Sequence, residues 1–124
     1  MTNTNTNDKK FYIANAFSLQ MIPINFNTTE VEITERGLWE MQELAENGCL
    51  VSAIGHTDTA AVVSSELGVD LPANRVNVSL KGGDTLYVAQ LMGGRLPEGA
   101  TTLPEGFKIR YIRVRIKPDT SFGL

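Results

Sequence analysis

Apolar residues change their spacing several times along the chain, and each change marks a boundary between elements. Phe11-Tyr12-Ile13-Ala14 is an apolar run of strand length, closed by the polar loop Asn15-Ala16-Phe17-Ser18. Val31 and Ile33 alternate with Glu30, Glu32 and Thr34, the period of a half-buried strand. From Thr34 to Asn47 the period lengthens. Leu38, Met41, Leu44 and Ala45 fall at helical spacing, with Glu35, Glu40, Glu43 and Glu46 on the other faces. Thr34 is the expected N-cap of this helix and Asn47-Gly48 its stop.

Cys49 to Ala53 reads as a second apolar strand, ending in Ile54-Gly55-His56. Thr57 opens another helix, in which Ala60, Val63 and Leu67 mark the buried side and Gly68 the end. After the connector Leu71-Pro72-Ala73-Asn74, the residues Val76, Val78 and Leu80 alternate with polar ones. Gly82-Gly83-Asp84 then turns the chain into Leu86 to Met92, a pattern that predicts a β-hairpin. Gly93 to Gly106 is rich in glycine and proline and reads as an exposed loop. A final strand runs from Phe107 to Ile116. Its apolar positions shift phase at Tyr111-Ile112, which calls for a bulge or a change in the covered sheet face. Five to six strands and two helices predict a single α+β domain with a mixed sheet flanked by helices.

A length of 124 residues suits one domain. Residues 1–10, a Thr/Asn run ending in Asp8-Lys9-Lys10, read as a disordered leader, residues 11–118 as the domain and 119–124 as a tail. No signal peptide is visible, and no apolar run approaches the roughly 18 residues that span a bilayer, so a cytoplasmic protein without membrane contact is expected. A net charge of −3 argues against binding long nucleic acid. The average conceals an asymmetry, because residues 1–62 carry three bases against eight acids and residues 63–124 carry eight bases against six acids. A local basic site for a compact anion is compatible with that distribution.

The single cysteine, Cys49, excludes an internal disulfide, and the single histidine, His56, excludes paired His/Cys zinc patterns and any mechanism that needs two histidines in one chain. Cys49 itself is expected to be a buried strand residue. His56 stands between a strand and a helix start, where free amides and a partial positive charge attract anions. It can equally be a surface or structural histidine. Arg75 and Arg95 are candidate phosphate ligands, the second in the glycine-flanked Gly93-Gly94-Arg95-Leu96, or ordinary surface charges. Glu98 can be a catalytic carboxylate, an orienting partner of Arg95 or a turn residue. Arg110, Arg113 and Arg115 read as the polar face or solvated edge of the last strand.

Taken together, four blocks in order resemble the type III anti-CRISPR ring nucleases of viruses and their prokaryotic relatives. They are Tyr12-Ile13-Ala14-Asn15-Ala16-Phe17-Ser18, then Ser52-Ala53-Ile54-Gly55-His56-Thr57-Asp58-Thr59-Ala60, then Asn74-Arg75-Val76, and finally Asp84-Thr85-Leu86-Tyr87-Val88-Ala89-Gln90-Leu91 leading to Arg95-Leu96-Pro97-Glu98-Gly99. The resemblance implies a homodimer that binds cyclic tetra-adenylate between its subunits and cuts it without a metal or other cofactor, silencing type III CRISPR signalling. It implies catalytic roles for His56 and, in support, Glu98. It implies ligand contacts by Asn15, Ser18, Thr59, Arg75, Gln90 and Arg95. The chain departs from many relatives at Ala100 to Gly106, a short Thr/Pro/Gly loop where they carry a helical segment. A non-catalytic protein that sequesters a cyclic nucleotide is the alternative.

Overall fold

The structure, a computed structural model, describes residues 9–22 and 29–118. Five strands form one sheet: β1 (Phe11–Ala14), β2 (Val31–Arg36), β3 (Leu50–Ala53), β4 (Thr85–Met92) and β5 (Lys108–Ile116), in the order β2-β5-β4-β1-β3. β1 pairs in parallel with β3 and β4, while β5 is antiparallel to both β4 and β2. The sheet is therefore mixed, and β1, β2, β3 and β4 all point their C-terminal ends the same way. Two helices, α1 (Leu38–Glu46) and α2 (Thr57–Leu67), complete the α+β domain.

The helices cover one face. Met41 and Ala45 of α1 and Ala60, Val63 and Leu67 of α2 pack on Ile13, Leu50, Tyr87, Ala89 and Tyr111. Burying Met41 completely removes about 1.5–3 kcal/mol worth of apolar surface from water. The hydroxyl of Tyr111 lies under this layer with no hydrogen-bond partner among the described residues, and burial, followed by the charge of Glu66, raises its pKa. Burial likewise raises that of Tyr87, with Glu40 adding to the shift. At the β2 corner the guanidinium of Arg36 grips Glu40 of α1 at 2.7 Å, tying strand end to helix start.

The opposite face has a second core without helices. Ala14, Ala53, Leu86, Val88, Val114 and Ile116 are covered by irregular chain that carries Phe17, Met21, Ile22, Val78 and Leu80. The predicted hairpin is corrected at this point. Residues 76–80 form no strand, although Val78 and Leu80 are buried as their alternation requires. They lie over the sheet face, where the amide of Leu80 donates to the carbonyl of Met21 at 2.8 Å, and a ladder is not available. The Lys81–Asp84 turn does form, closed by Asp84 N–H to Lys81 carbonyl at 2.9 Å. It delivers β4 into the sheet centre between β1 and β5.

One further expectation changes, and another resolves to one of its two alternatives. Thr34 is not an N-cap, because β2 continues through it to Arg36, held by the unbroken ladder to β5, and Gly37 takes the cap position. The phase shift in β5 is not a bulge, since its register with β4 runs without interruption from Thr85↔Arg115 to Met92↔Lys108. It reflects a change of covering. Ile109 and Tyr111 face the helices, whereas Ile112, Val114 and Ile116 face the irregular layer. Consequently Arg110 lies on the opposite sheet face from Arg113 and Arg115, and the three do not form one polar face. Arg110 reaches Glu35 at 3.7 Å, while the Nε of Arg113 is buried without a hydrogen-bond partner among the described residues. Cys49 is buried as expected, but it lies just before β3 rather than in it.

The predicted leader and tail fall largely outside the described residues. Among the described residues, no helix is long and apolar enough to cross a membrane.

Candidate functional site

The chain leaves the parallel strands β1 and β3 toward opposite faces. After β1 it passes to the irregular layer through Phe17, and after β3 it enters α2 on the helical side. Such a divergence opens a crevice beyond the C-terminal strand ends. Asn15 follows β1 and Gly55-His56 follow β3 at these ends, where the Asn15 Oδ1 accepts from the Gly55 amide at 3.5 Å.

His56 is the N-cap residue of α2, in extended conformation at φ −117° and ψ 132°. Its carbonyl accepts the first helical hydrogen bond, from Ala60 at 2.9 Å, while its imidazole makes no capping bond and is exposed. The ring is thus free for a ligand while its backbone is fixed. Fully buried Ile54 anchors the junction from below.

Arg75 reaches the same point by a longer route. Ser64 of α2 receives the returning chain, its Oγ accepting from Leu71 N–H at 2.8 Å. Asn74 then lies along β3, donating from its backbone to Ile54 at 2.7 Å and from its side chain to the Ser52 carbonyl at 2.8 Å. That placement lets the Arg75 Nε donate to the Gly55 carbonyl at 3.0 Å, with the side chain lying across residue 55. A Cβ at Gly55 would come within 3.3 Å of Arg75 Cγ, so glycine makes room for the arginine stem.

A facing wall comes from the connection between β4 and β5. His56, Thr57, Asp58 and Thr59 line one side of a cleft of about 400 Å³, and Leu91, Arg95 and Leu96 line the other. The Asp58 Oδ2 accepts from the Gly99 amide at 3.2 Å across its mouth.

Of the residues expected at a site, His56, Thr59 and Arg95 therefore share one cleft, and Asn15 and Arg75 meet at the adjoining Gly55. Ser18, Gln90 and Glu98 do not line it. Gln90 is exposed on the sheet face opposite that of its neighbour Leu91. Ser18 precedes a short 3-10 turn, and Glu98 is exposed on the loop beside Gly99. Asp58, Leu91 and Leu96 were not legible as site residues. The only local signal at Asp58 was that of an acid in the first turn of a helix. Among the described residues, no three side chains of His, Cys, Asp or Glu gather to hold a metal ion.

A family model described as STIV B116-like matches residues 11–113. Uncharacterized protein 26 of Sulfolobus islandicus filamentous virus is 33% identical over 88 residues, covering 71% of this chain and 72% of the viral protein. Uncharacterized protein ORF117 of Acidianus two-tailed virus is 33% identical over 101 residues, covering 75% and 86% respectively. Among solved structures, B116 of Sulfolobus turreted icosahedral virus superposes with a TM-score of 0.69 at 29% identity. That match covers 86% of this chain and 98% of B116.

Proposed function

Because the chain belongs to the STIV B116-like family, with relatives in viruses of archaea, we propose a function for the crevice that these proteins' shared fold builds. The protein is a ring nuclease that binds cyclic tetra-adenylate between two copies of the chain and cuts it, switching off type III CRISPR signalling. The supporting observation is the convergence of one exposed imidazole with Thr59 and Arg95 in a single cleft, beside Arg75 held at Gly55.

The reaction uses the ribose 2′-hydroxyl as nucleophile. Its oxygen forms a bond to the adjacent phosphorus as the bond from phosphorus to the 5′-oxygen breaks, and the hydroxyl proton passes to solvent. The His56 imidazolium donates its proton to the departing 5′-oxygen, which would otherwise leave as a poor alkoxide leaving group. A general acid there is worth about 100- to 10,000-fold. Arg75 and Arg95 hold the phosphate and stabilise the charge that grows on its oxygens. No second histidine exists to act as base, so 2′-hydroxyl activation rests on positioning, with Glu98 or a backbone carbonyl in support. Thr59 in the cleft and Asn15 beside Gly55 complete the ligand contacts, whereas Ser18 and Gln90 lie outside the cleft of one copy.

Two copies related by a two-fold axis supply two His56 side chains, matching two opposed phosphodiesters of a four-phosphate ring. The products are two linear di-adenylates ending in 2′,3′-cyclic phosphate. The requirement for a 2′-hydroxyl makes the activity specific for RNA-type rings.

Incubation with labelled cyclic tetra-adenylate in EDTA tests the reading. Linear di-adenylates are expected from the wild type, with turnover reduced about 100- to 10,000-fold in His56→Ala and binding retained. A bound but intact ring would replace cleavage by sequestration. A melting temperature unmoved by the ring would remove the nucleotide ligand altogether.

A further inference from the structure

The cleft contains a carboxylate that the proposed chemistry does not use. Asp58 lines it two residues after His56, on the side facing Arg95, and is half-buried there. A negative charge is an unhelpful wall for a phosphate ligand unless it has another task. Its geometry supplies one. The Asp58 Oδ2 accepts from the Gly99 amide at 3.2 Å, joining the first turn of α2 to a residue 41 positions away.

The β4–β5 connection has little else to hold it. Within it, Ala100 N–H donates to Pro97 and Phe107 N–H to Pro104, both local turns. Among the described residues, the bond from Gly99 to Asp58 is the one hydrogen bond that joins residues 93–106 to the rest of the domain. Gly99 sits at φ +80°, a left-handed conformation natural to glycine, and this aims its N–H at the carboxylate. Arg95 lies four residues upstream on the same loop and opposes His56 across the cleft.

We propose that Asp58 is a positioning residue that latches the Arg95-bearing loop to the helix carrying His56. The bond keeps the Arg95-bearing loop at the cleft, so its loss weakens capture of the ligand while His56 stays fixed at its own junction. Asp58 takes no part in bond making or breaking. The kinetic consequence rests on the nuclease reading above, whereas the latch itself does not.

Two variants separate the latch from a simple charge effect at a helix N-terminus. Asp58→Asn keeps an acceptor oxygen but loses the charge, and Asp58→Ala loses both. Hydrogen–deuterium exchange of the full chain is followed in peptides covering residues 93–100 and α2. In Asp58→Ala, the loop peptide is expected to exchange about tenfold faster, as loss of a hydrogen bond of ordinary strength implies, with α2 unchanged. Asp58→Asn is expected to resemble the wild type. With cyclic tetra-adenylate as substrate, KM rises about tenfold in Asp58→Ala, kcat stays within about twofold, and Asp58→Asn restores KM.

Unchanged loop exchange in Asp58→Ala overturns the latch. So does an Asp58→Asn protein that behaves like Asp58→Ala, because charge rather than the bond would then be at work. If the wild type leaves the ring intact, the nuclease reading fails, and the exchange measurement still decides the latch.

Discussion

The two walls of the cleft are built on different terms. The junction from β3 to α2 stands on fully buried Ile54 and is stitched to Asn15, Asn74 and Arg75 by side-chain and backbone bonds. The connection from β4 to β5 is exposed over most of its length and has one hydrogen bond to the body, at Asp58. Local stability follows buried apolar contact and backbone protection, so the first wall opens only with the domain and the second opens alone. The contrast suits the chemistry proposed. A proton donor needs a fixed approach to one oxygen, whereas a phosphate clamp must also admit and release a ring.

Substitution beneath the first wall should produce the largest change. Ile54→Ala is expected to cost about 2–5 kcal/mol in urea unfolding, since it empties a completely buried position, while Thr101→Ala or Thr102→Ala in the exposed loop stays within about 0.5 kcal/mol. Equal losses from both walls would erase the contrast.

Next come the arginines. Removing either charge-assisted phosphate contact is worth about 1.5–3 kcal/mol, so Arg75→Ala and Arg95→Ala should each weaken binding of cyclic tetra-adenylate by about 10- to 100-fold in calorimetry. Lysine sharpens the comparison. Arg95→Lys should recover part of the affinity, because a loop side chain can readjust. Arg75→Lys should not, because lysine has no Nε to hold the Gly55 carbonyl at 3.0 Å. Full rescue at position 75 would mean that its seat is not required.

The smallest effect lies deepest. The buried Tyr111 hydroxyl has no partner among the described residues, so Tyr111→Phe should leave stability unchanged or raise it by up to about 1 kcal/mol. Burial raises the folded-state pKa of this tyrosine above its unfolded value, so its contribution is complete below about pH 10 and is lost as the pH climbs beyond that. Melting curves should therefore fall more gently above pH 10 in Tyr111→Phe than in the wild type. Tyr87 has a pKa shifted in the same direction and keeps part of the slope in both.

Much of the architecture was legible in periodicity. The positions of α1, α2 and all five strands follow from spacing alone, since a one-sided helix and a pleated strand bury different residues. Val78 and Leu80 show the limit. They alternate because one side faces a core, and nothing in that pattern reveals whether a neighbouring strand is available to pair with. Thr34 shows another, for a favourable cap residue yields when a ladder to β5 extends through it. At the site, His56 could be read from its place between a strand and a helix, and Asn15 only through the resemblance to the ring nucleases. The seat of Arg75 and the bond of Asp58 could not, because each depends on a partner 20 or 41 residues distant and leaves no local mark.

The strand order also governs how the molecule can be made. β2 emerges early in synthesis, yet its sole neighbour in the sheet is β5, the last strand among the described residues. Until β5 leaves the ribosome, β2 has no ladder and β4 shows an open edge, a template for pairing with foreign chains. A nascent or truncated chain ending in the glycine-rich loop would carry nearly every candidate residue of the cleft and still lack the strand that joins the two parts of the sheet. Completion of the fold thus waits for β5, and the proposed activity would arrive all at once with it.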